Sequence, residues 1–286
     1  MISINNLDFS YKSTKVFQNI SLSFEKSNIY GLLGENGVGK TTLLKLICGL
    51  QNPKSGTCNV DGFTPFDRKP GFLENIYYLP EEVITPDTTP LKYVQNLGVF
   101  YPRFDIGFFY ELAKEMEIDP NKKFAAHSYG QKKKSLIACA LSLRTDYLLL
   151  DEPTNGLDIP SKALFRKVIS QYCSEDSTII ISTHQVKDVE NLIDPIIILD
   201  HDEVLLKASF AEITEKIYFD YSPERIEKAF YMEMLPGGYL NVVPNEFHFE
   251  SKVNIEALFN AVMKNKQTIK QLFENKEEDI NNISKL

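Results

Sequence analysis

The chain has 286 residues, 43% of them hydrophobic and 24% charged, and its 31 Lys+Arg against 39 Asp+Glu leave a net charge of −8. These are globular proportions. They exclude a largely disordered or collagen-like chain, and the acidic balance argues against a protein that coats nucleic acid.

Ile2–Tyr11 and Ser21–Glu25 read as alternating strands. Asn28–Leu33 is a short apolar run ending before glycine, as expected of a buried strand. Lys40–Leu50 carries Leu43, Leu44, Leu46, Ile47 and Leu50 at helical spacing and closes at Asn52-Pro53. Thr57–Val60 and Ile76–Leu79 look like strands, followed by a polar, proline-bearing stretch from Pro80 to Pro90. Helical patterns then run over Leu91–Phe100, Phe104–Met116 and Tyr129–Leu143. Strands return at Tyr147–Asp151, Thr178–Ser182 and Ile196–Leu199, separated by helical stretches over Ser161–Cys173 and Gln185–Leu192. Strands alternating with helices predict an α/β domain with a parallel sheet covered on both faces, here interrupted by a helical insertion at about 84–140. Beyond about Val204–Lys207, Tyr218–Tyr221, Tyr239–Val243 and Phe247–Phe249 read as strands, and Glu224–Met232 and Ile255–Lys264 as helices. The expected division is therefore 1–205 for the main domain and 206–286 for a small α+β appendage whose last segment, Asn275–Leu286, frays.

Cys48, Cys58, Cys139 and Cys173 form no C-x-x-C pair and are irregularly spaced. No zinc site, redox dithiol or disulfide framework is expected, and each reads as a small buried apolar residue. No signal peptide is apparent. The longest apolar runs fall far short of the roughly 20 residues that span a bilayer.

The strongest local pattern is Gly34-Glu35-Asn36-Gly37-Val38-Gly39-Lys40-Thr41, followed by Thr42. It matches G-x-x-x-x-G-K-[ST] between an expected strand and an expected helix, the context this phosphate-cradling loop requires. Its glycines let backbone N–H groups approach phosphate oxygens, and the positive end of the following helix points into the same concavity. Lys40 supplies charge to the β- and γ-phosphates, and Thr41 offers a hydroxyl to Mg²⁺. An apolar strand ending in Asp151-Glu152 sets a carboxylate at the sheet's C-terminal edge, where ligands bind in such folds. Asp151 is the candidate Mg²⁺ holder and Glu152 the candidate general base for an attacking water.

Further motifs, in a fixed order over roughly residues 1–205, resemble the nucleotide-binding subunits of ATP-binding cassette (ABC) transporters, and in particular bacterial exporter-type subunits. The resemblance implies an α/β P-loop NTPase cassette with a mostly parallel core sheet, an antiparallel β subdomain and a helical insertion. Tyr11, in Asp8-Phe9-Ser10-Tyr11, matches the family's adenine-stacking aromatic, with Val16 packed beside it. Ser128-Tyr129-Gly130-Gln131 matches the signature sequence, which in the family contacts the ATP held by the opposite subunit. Asn155-Gly156-Leu157-Asp158 matches the loop that communicates between the two sites, and His184 the switch histidine that senses the γ-phosphate. Three departures stand out. Glu81 falls where the family has a glutamine that reaches Mg²⁺ and the membrane partner, His127 replaces a leucine, and Tyr129 replaces a glycine. Lys132-Lys133-Lys134 reads as a solvated first helical turn, slightly unfavourable with the helix dipole, the alternative being a contact with nucleotide phosphates or acidic partner loops.

With one phosphate loop and one signature, the resemblance implies two copies meeting head to tail around two ATP molecules with Mg²⁺. Each cassette then energises a separate multispanning membrane subunit from the cytoplasmic face, with no nucleic acid involved. Two alternatives carry other expectations: a nucleotide-regulated ABC protein with weak hydrolysis, and a soluble ABC protein acting on the ribosome or DNA.

Overall fold

The computed structural model describes residues 1–172 and 177–274. Six strands form the central sheet: β3 (Ile29–Leu33), β5 (Ile76–Leu79), β6 (Tyr147–Asp151), β7 (Thr178–Thr183), β8 (Ile196–Asp200) and β9 (Glu203–Ala208). Their spatial order is β5-β6-β7-β3-β8-β9, parallel throughout except for the final antiparallel β8–β9 pair. Every residue of β6, β7 and β8 is buried, which is why these segments are continuous apolar runs rather than alternating ones. The register sets Leu33 opposite Thr183 and Asp151 opposite Ser182. The C-terminal ends of β3, β6 and β7 therefore lie side by side, and three chemically loaded loops leave the sheet at one edge.

A second, antiparallel sheet is ordered β2-β1-β4, from β2 (Thr14–Phe24), β1 (Ile2–Tyr11) and β4 (Ser55–Val60). Its buried Ile4, Phe9, Phe17 and Phe24 share an apolar cluster with Leu43, Leu44 and Ile47 of α1 (Lys40–Ile47). After a single-turn helix α2 (Pro70–Leu73), the helical insertion comprises α3 (Pro90–Gly98), α4 (Ile106–Glu115) and α5 (Tyr129–Ser142). Side-chain caps fix where each begins: Thr89, Asp105 and Ser128 accept from the backbone N–H three residues on. The helical periodicities end within about two residues of these bounds.

The remainder forms α6 (Ile159–Tyr172), α7 (Phe210–Lys216), a three-stranded sheet β10-β12-β11 from β10 (Ile217–Ser222), β11 (Tyr231–Leu235) and β12 (Gly238–Pro244), then α8 (Ile255–Lys264) and α9 (Lys266–Glu274). Two helical expectations fail. Glu224–Met232 is a turn leading into β11, because Tyr231–Leu235 pairs with β12 across a tight turn at Gly237. Gln185–Leu192 holds only a short 3₁₀ turn at Val186–Asp188, since the chain drops straight into a buried Leu192-Ile193 and the next strand. Phe247–Phe249 is not a strand. Cys48, Cys58 and Cys139 are buried free thiols, with burial pushing the Cys48 thiol up to about 11. Cys173 and the terminal segment 275–286 lie outside the described residues.

The expected boundary at 205/206 falls inside β9, and one apolar cluster runs from Ile193, Ile196 and Leu205 into Leu258, Val262 and Ile269 of the C-terminal helices. Leu258→Ala is accordingly expected to destabilise the whole chain by about 2–5 kcal/mol, the range for a buried Leu truncation. Denaturant unfolding should shift as one transition. An early transition confined to the C-terminal region would contradict a shared core.

Candidate active site

The turn between β3 and α1 wraps around its own lysine. Lys40, 6% exposed, donates from Nζ to the carbonyls of Gly34 (2.7 Å) and Glu35 (3.1 Å) and lies 3.7 Å from Glu152 Oε1. Burial lowers its pKa, against the opposing pull of the Glu152, Asp151 and Glu81 carboxylates. Gly37 and Gly39 have φ of 87° and 109°, the left-handed region, and a Cβ on Gly39 would meet the Phe17 ring at 2.7 Å and Val16 at 2.9 Å. Val16 thus packs under the turn, and Val38 is buried inside it, while Glu35 and Asn36 face solvent. Tyr11 is 42% exposed, its ring edge-on to Phe9 at 4.9 Å, and its hydroxyl accepts from Thr42 Oγ1 at 3.4 Å. An exposed aromatic face therefore stands beside the start of α1.

The end of β6 supplies two buried carboxylates. Asp151 accepts from three hydroxyls: Thr41 Oγ1 at 2.7 Å and Tyr78 OH at 3.0 Å on Oδ2, and Ser182 on Oδ1. Burial, and then the Asp151 charge, pushes the Tyr78 hydroxyl's pKa upward, so this proton stays on Tyr78. Glu152 sits in the left-handed region at φ 44°, its N–H donating to Ser182 O (3.1 Å) and Oγ (3.2 Å). Its Oε1 accepts from the His184 backbone N–H (3.1 Å) and lies 2.8 Å from His184 Nδ1. Gln185 Nε2 lies 3.4 Å from His184 Nε2, so the network assigns the imidazole proton to Nδ1. Glu152 Oε2 is buried with no hydrogen-bond partner among the described residues. One oxygen of the carboxylate is thus held, and the other is left as an acceptor.

Ser128, Gly130 and Gln131 begin α5. Ser128 and Gln131 complete a capping box, Gln131 N–H to Ser128 Oγ at 3.3 Å and Ser128 N–H to Gln131 Oε1 at 3.0 Å. Among the described residues no hydrogen bond joins them to the loop at 34–42. The structure brings together Lys40, Thr41, Asp151, Glu152 and His184 in one chain, and Ser128, Gly130 and Gln131 make no hydrogen bond to these five among the described residues. Asp158 caps α6, accepting from Ser161 N–H at 2.9 Å, and the Ser161 bonds lower its pKa. Glu81 accepts from Asn155 Nδ2 at 2.7 Å and makes no hydrogen bond to Thr41 or Asp151. His127 is buried against the Phe124 ring with Nδ1 3.5 Å from Ser135 Oγ, and desolvation lowers its pKa.

Three participants escape the sequence patterns. Tyr78 and Ser182 brace Asp151, and only the order of the strands brings them there. Lys133, expected in a solvated turn, is 1% exposed and donates to the carbonyls of Glu152 (2.7 Å) and Asn155 (3.2 Å). Burial pushes its pKa down to about 8 although Glu81, Glu152 and Asp151 oppose this. Lys133 is one i, i+4 step from Tyr129, on the helix face turned to that loop.

Residues 17–155 match the family model described as ABC transporter. Among curated proteins, the chain is 34% identical over 230 residues to the ABC transporter ATP-binding protein NatA of Bacillus subtilis, covering 78% of this chain and 91% of that protein. It is 31% identical over 220 residues to the ABC transporter ATP-binding protein YtrB of the same organism, covering 76% and 74%. Among solved structures, it resembles the dimeric post-hydrolysis state of the ATP-binding cassette MJ0796 bound to ADP and Pi. That likeness has a TM-score of 0.62 at 23% identity over 73% of this chain and 98% of the other.

Removing the Lys40 ammonium should cost one charge-assisted hydrogen bond to a bound triphosphate, about 1.5–3 kcal/mol. Lys40→Ala is therefore expected to weaken nucleoside triphosphate binding by about 10–100-fold in a calorimetric titration. Unchanged affinity would remove Lys40 from the site.

Proposed function

The chain belongs to the ABC transporter ATP-binding proteins, and from that membership we propose how its residues divide the work of an ATP-hydrolysing transporter subunit. ATP lies along the loop 34–42, with adenine against Tyr11 and Val16 and the phosphates among the N–H groups of Gly34–Thr42. Lys40 exchanges the carbonyls of Gly34 and Glu35 for phosphate oxygens. The observation that carries the reading is the grouping of Lys40, Thr41, Asp151, Glu152 and His184 at one sheet edge, with one oxygen of Glu152 free to accept.

Thr41 Oγ1 and Asp151 Oδ2 offer the hard oxygen donors that Mg²⁺ takes, and we assign the ion to them. Glu81, engaged with Asn155, stands outside that pair. Mg²⁺, when bound with the nucleotide, neutralises phosphate charge. Glu152 Oε2 accepts the proton of the attacking water, while His184 Nδ1–H fixes Oε1 and so aims the base. To meet a γ-phosphate oxygen, His184 Nε2 must itself carry a proton and give up its contact with Gln185 Nε2.

Ser128, Gly130 and Gln131 begin α5 without a hydrogen bond to the chain's own loop 34–42 among the described residues, and we assign this helix start to the phosphates of a second cassette. We assign the working unit to two copies meeting head to tail around two ATP, with Asp158 and the Asn155–Leu157 turn at the seam. The membrane partner fits a groove of about 500 Å³ between the core and the helical insertion, lined by Leu73, Tyr77, Leu97, Phe100 and Tyr101. Phe100 is 71% exposed at its rim, an apolar side chain suited to a partner rather than to water. No helix among the described residues is long and apolar enough to cross a membrane. We assign attachment to the inner face of the cell membrane to that partner.

Glu152→Gln keeps the shape and removes the base. Steady-state hydrolysis is expected to fall by about 10²–10⁴-fold, while ATP affinity holds and ATP shifts the protein to dimers in light scattering. Undiminished hydrolysis would deprive Glu152 of its role, and a monomer under saturating ATP would remove the shared site.

A further inference from the structure

We infer that Lys133 is a positioning residue for hydrolysis: it pins the Glu152–Asn155 segment to the helix that carries the signature residues. The inference rests on the reading of Glu152 as the general base. It assigns no contact between Lys133 and the nucleotide.

A cation inside a protein is expensive unless its donors are used. Lys133 is 1% exposed, and its Nζ spends its hydrogen bonds on two main-chain oxygens, Glu152 O at 2.7 Å and Asn155 O at 3.2 Å. Those two carbonyls bracket one short turn, which its own Asn155 N–H to Glu152 O bond closes at 3.2 Å. Glu152 is a residue with a side chain held at φ 44°, a conformation such residues seldom adopt unless their neighbours enforce it. Two anchors do so from opposite sides. Its N–H is tied to Ser182 at the end of β7, and its C=O is tied to Lys133 on α5. Without the second anchor, the peptide following Glu152 can rotate, and the aim of Oε2 is lost although His184 remains.

The same helix grips the other end of the segment. Tyr129, one turn earlier on the same face, lies against Gly156 so closely that a Cβ there would stand 2.5 Å from its ring. The Tyr129 that departs from the family's glycine thus has a place in this chain, over the turn that Lys133 holds. Glu81 adds a third tie through Asn155 Nδ2. A helix whose first turn faces the second cassette's ATP therefore bears directly on the base that serves its own.

The test uses the full-length chain, with hydrolysis measured against ATP concentration for Lys133→Met and Lys133→Arg. Met keeps a long unbranched chain and loses the donors, and Arg keeps charge and donors. Met is expected to lower kcat by about 10–100-fold with KM within about threefold, a loss confined to the chemical step. Arg should recover to within about fivefold of the parent. In the nucleotide-free protein, amide hydrogen exchange over 152–157 should quicken in Met and not in Arg. If Met cannot be purified folded, Lys133→Leu, which also has no donor, takes its place with the same expectation. The inference is overturned by a loss variant whose kcat stays within twofold, or by one that Arg fails to restore. A parent protein without hydrolysis would count against the role of Glu152, and the exchange measurement would still decide for or against the pinning.

Discussion

Two carboxylates, Asp151 and Glu152, are buried at the end of one strand, and their charge has to be met inside the protein. Lys40 and Lys133 flank them, both buried, one from the turn after β3 and the other from α5. Lys40 Nζ lies 3.7 Å from Glu152 Oε1, and Lys133 makes no ion pair with a carboxylate among the described residues. Each spends its hydrogen bonds on main-chain carbonyls and balances the acids through the low-dielectric interior. Glu152 Oε2 is left without a hydrogen-bond partner among the described residues, the oxygen that the proposed reading uses as the base.

The topology makes such a cluster possible. Parallel strands order all their C-terminal ends on one edge, and β3, β6 and β7 are immediate neighbours there. Loops that are 110 residues or more apart in sequence then meet within hydrogen-bond distance, as Thr41 and Asp151 do. Hydroxyl groups do the fine placement. Thr41, Tyr78 and Ser182 all donate to Asp151, so its two oxygens are oriented before any ion or phosphate arrives. Pre-oriented donors and acceptors are worth more than flexible ones, because binding does not have to fix them.

The cradle was legible because its demands are local: glycines where φ is positive, then Lys and Thr at a helix start, all within eight residues. The Asp–Glu pair was legible from one apolar strand. The roles of Tyr11, Val16, Ser128 and His184 came from family likeness, and the fold sets Tyr11, Val16 and His184 about the loop and the carboxylates. Lys133 was not legible. Three lysines in a row at a helix start look solvated, and only the direction of α5 against the β6 end determines that the middle one points inward. The failed helix at Glu224–Met232 has the same origin. Pairing of Tyr231–Leu235 with β12, which no local residue announces, starts a strand at Tyr231, and the residues before it form the turn that leads there.

The arrangement of α5 bears on why hydrolysis and assembly should be linked at all. Ser128 and Lys133 are five residues apart, about 7–8 Å along a helix rising ~1.5 Å per residue. A closed capping box makes the first turn stiff, so the two ends of that short span cannot move independently. Under the proposed head-to-tail assembly, one end of the span meets the neighbour's phosphates and the other holds the backbone of Glu152. A displacement of a few tenths of an ångström at the first is then delivered to the second without any long chain of intermediates. Coupling of this kind needs no conformational change of the fold, only a rigid element whose two ends belong to different sites. It also explains why a buried charge is tolerated on this helix. An apolar residue at 133 could not hold the two carbonyls that Lys133 holds.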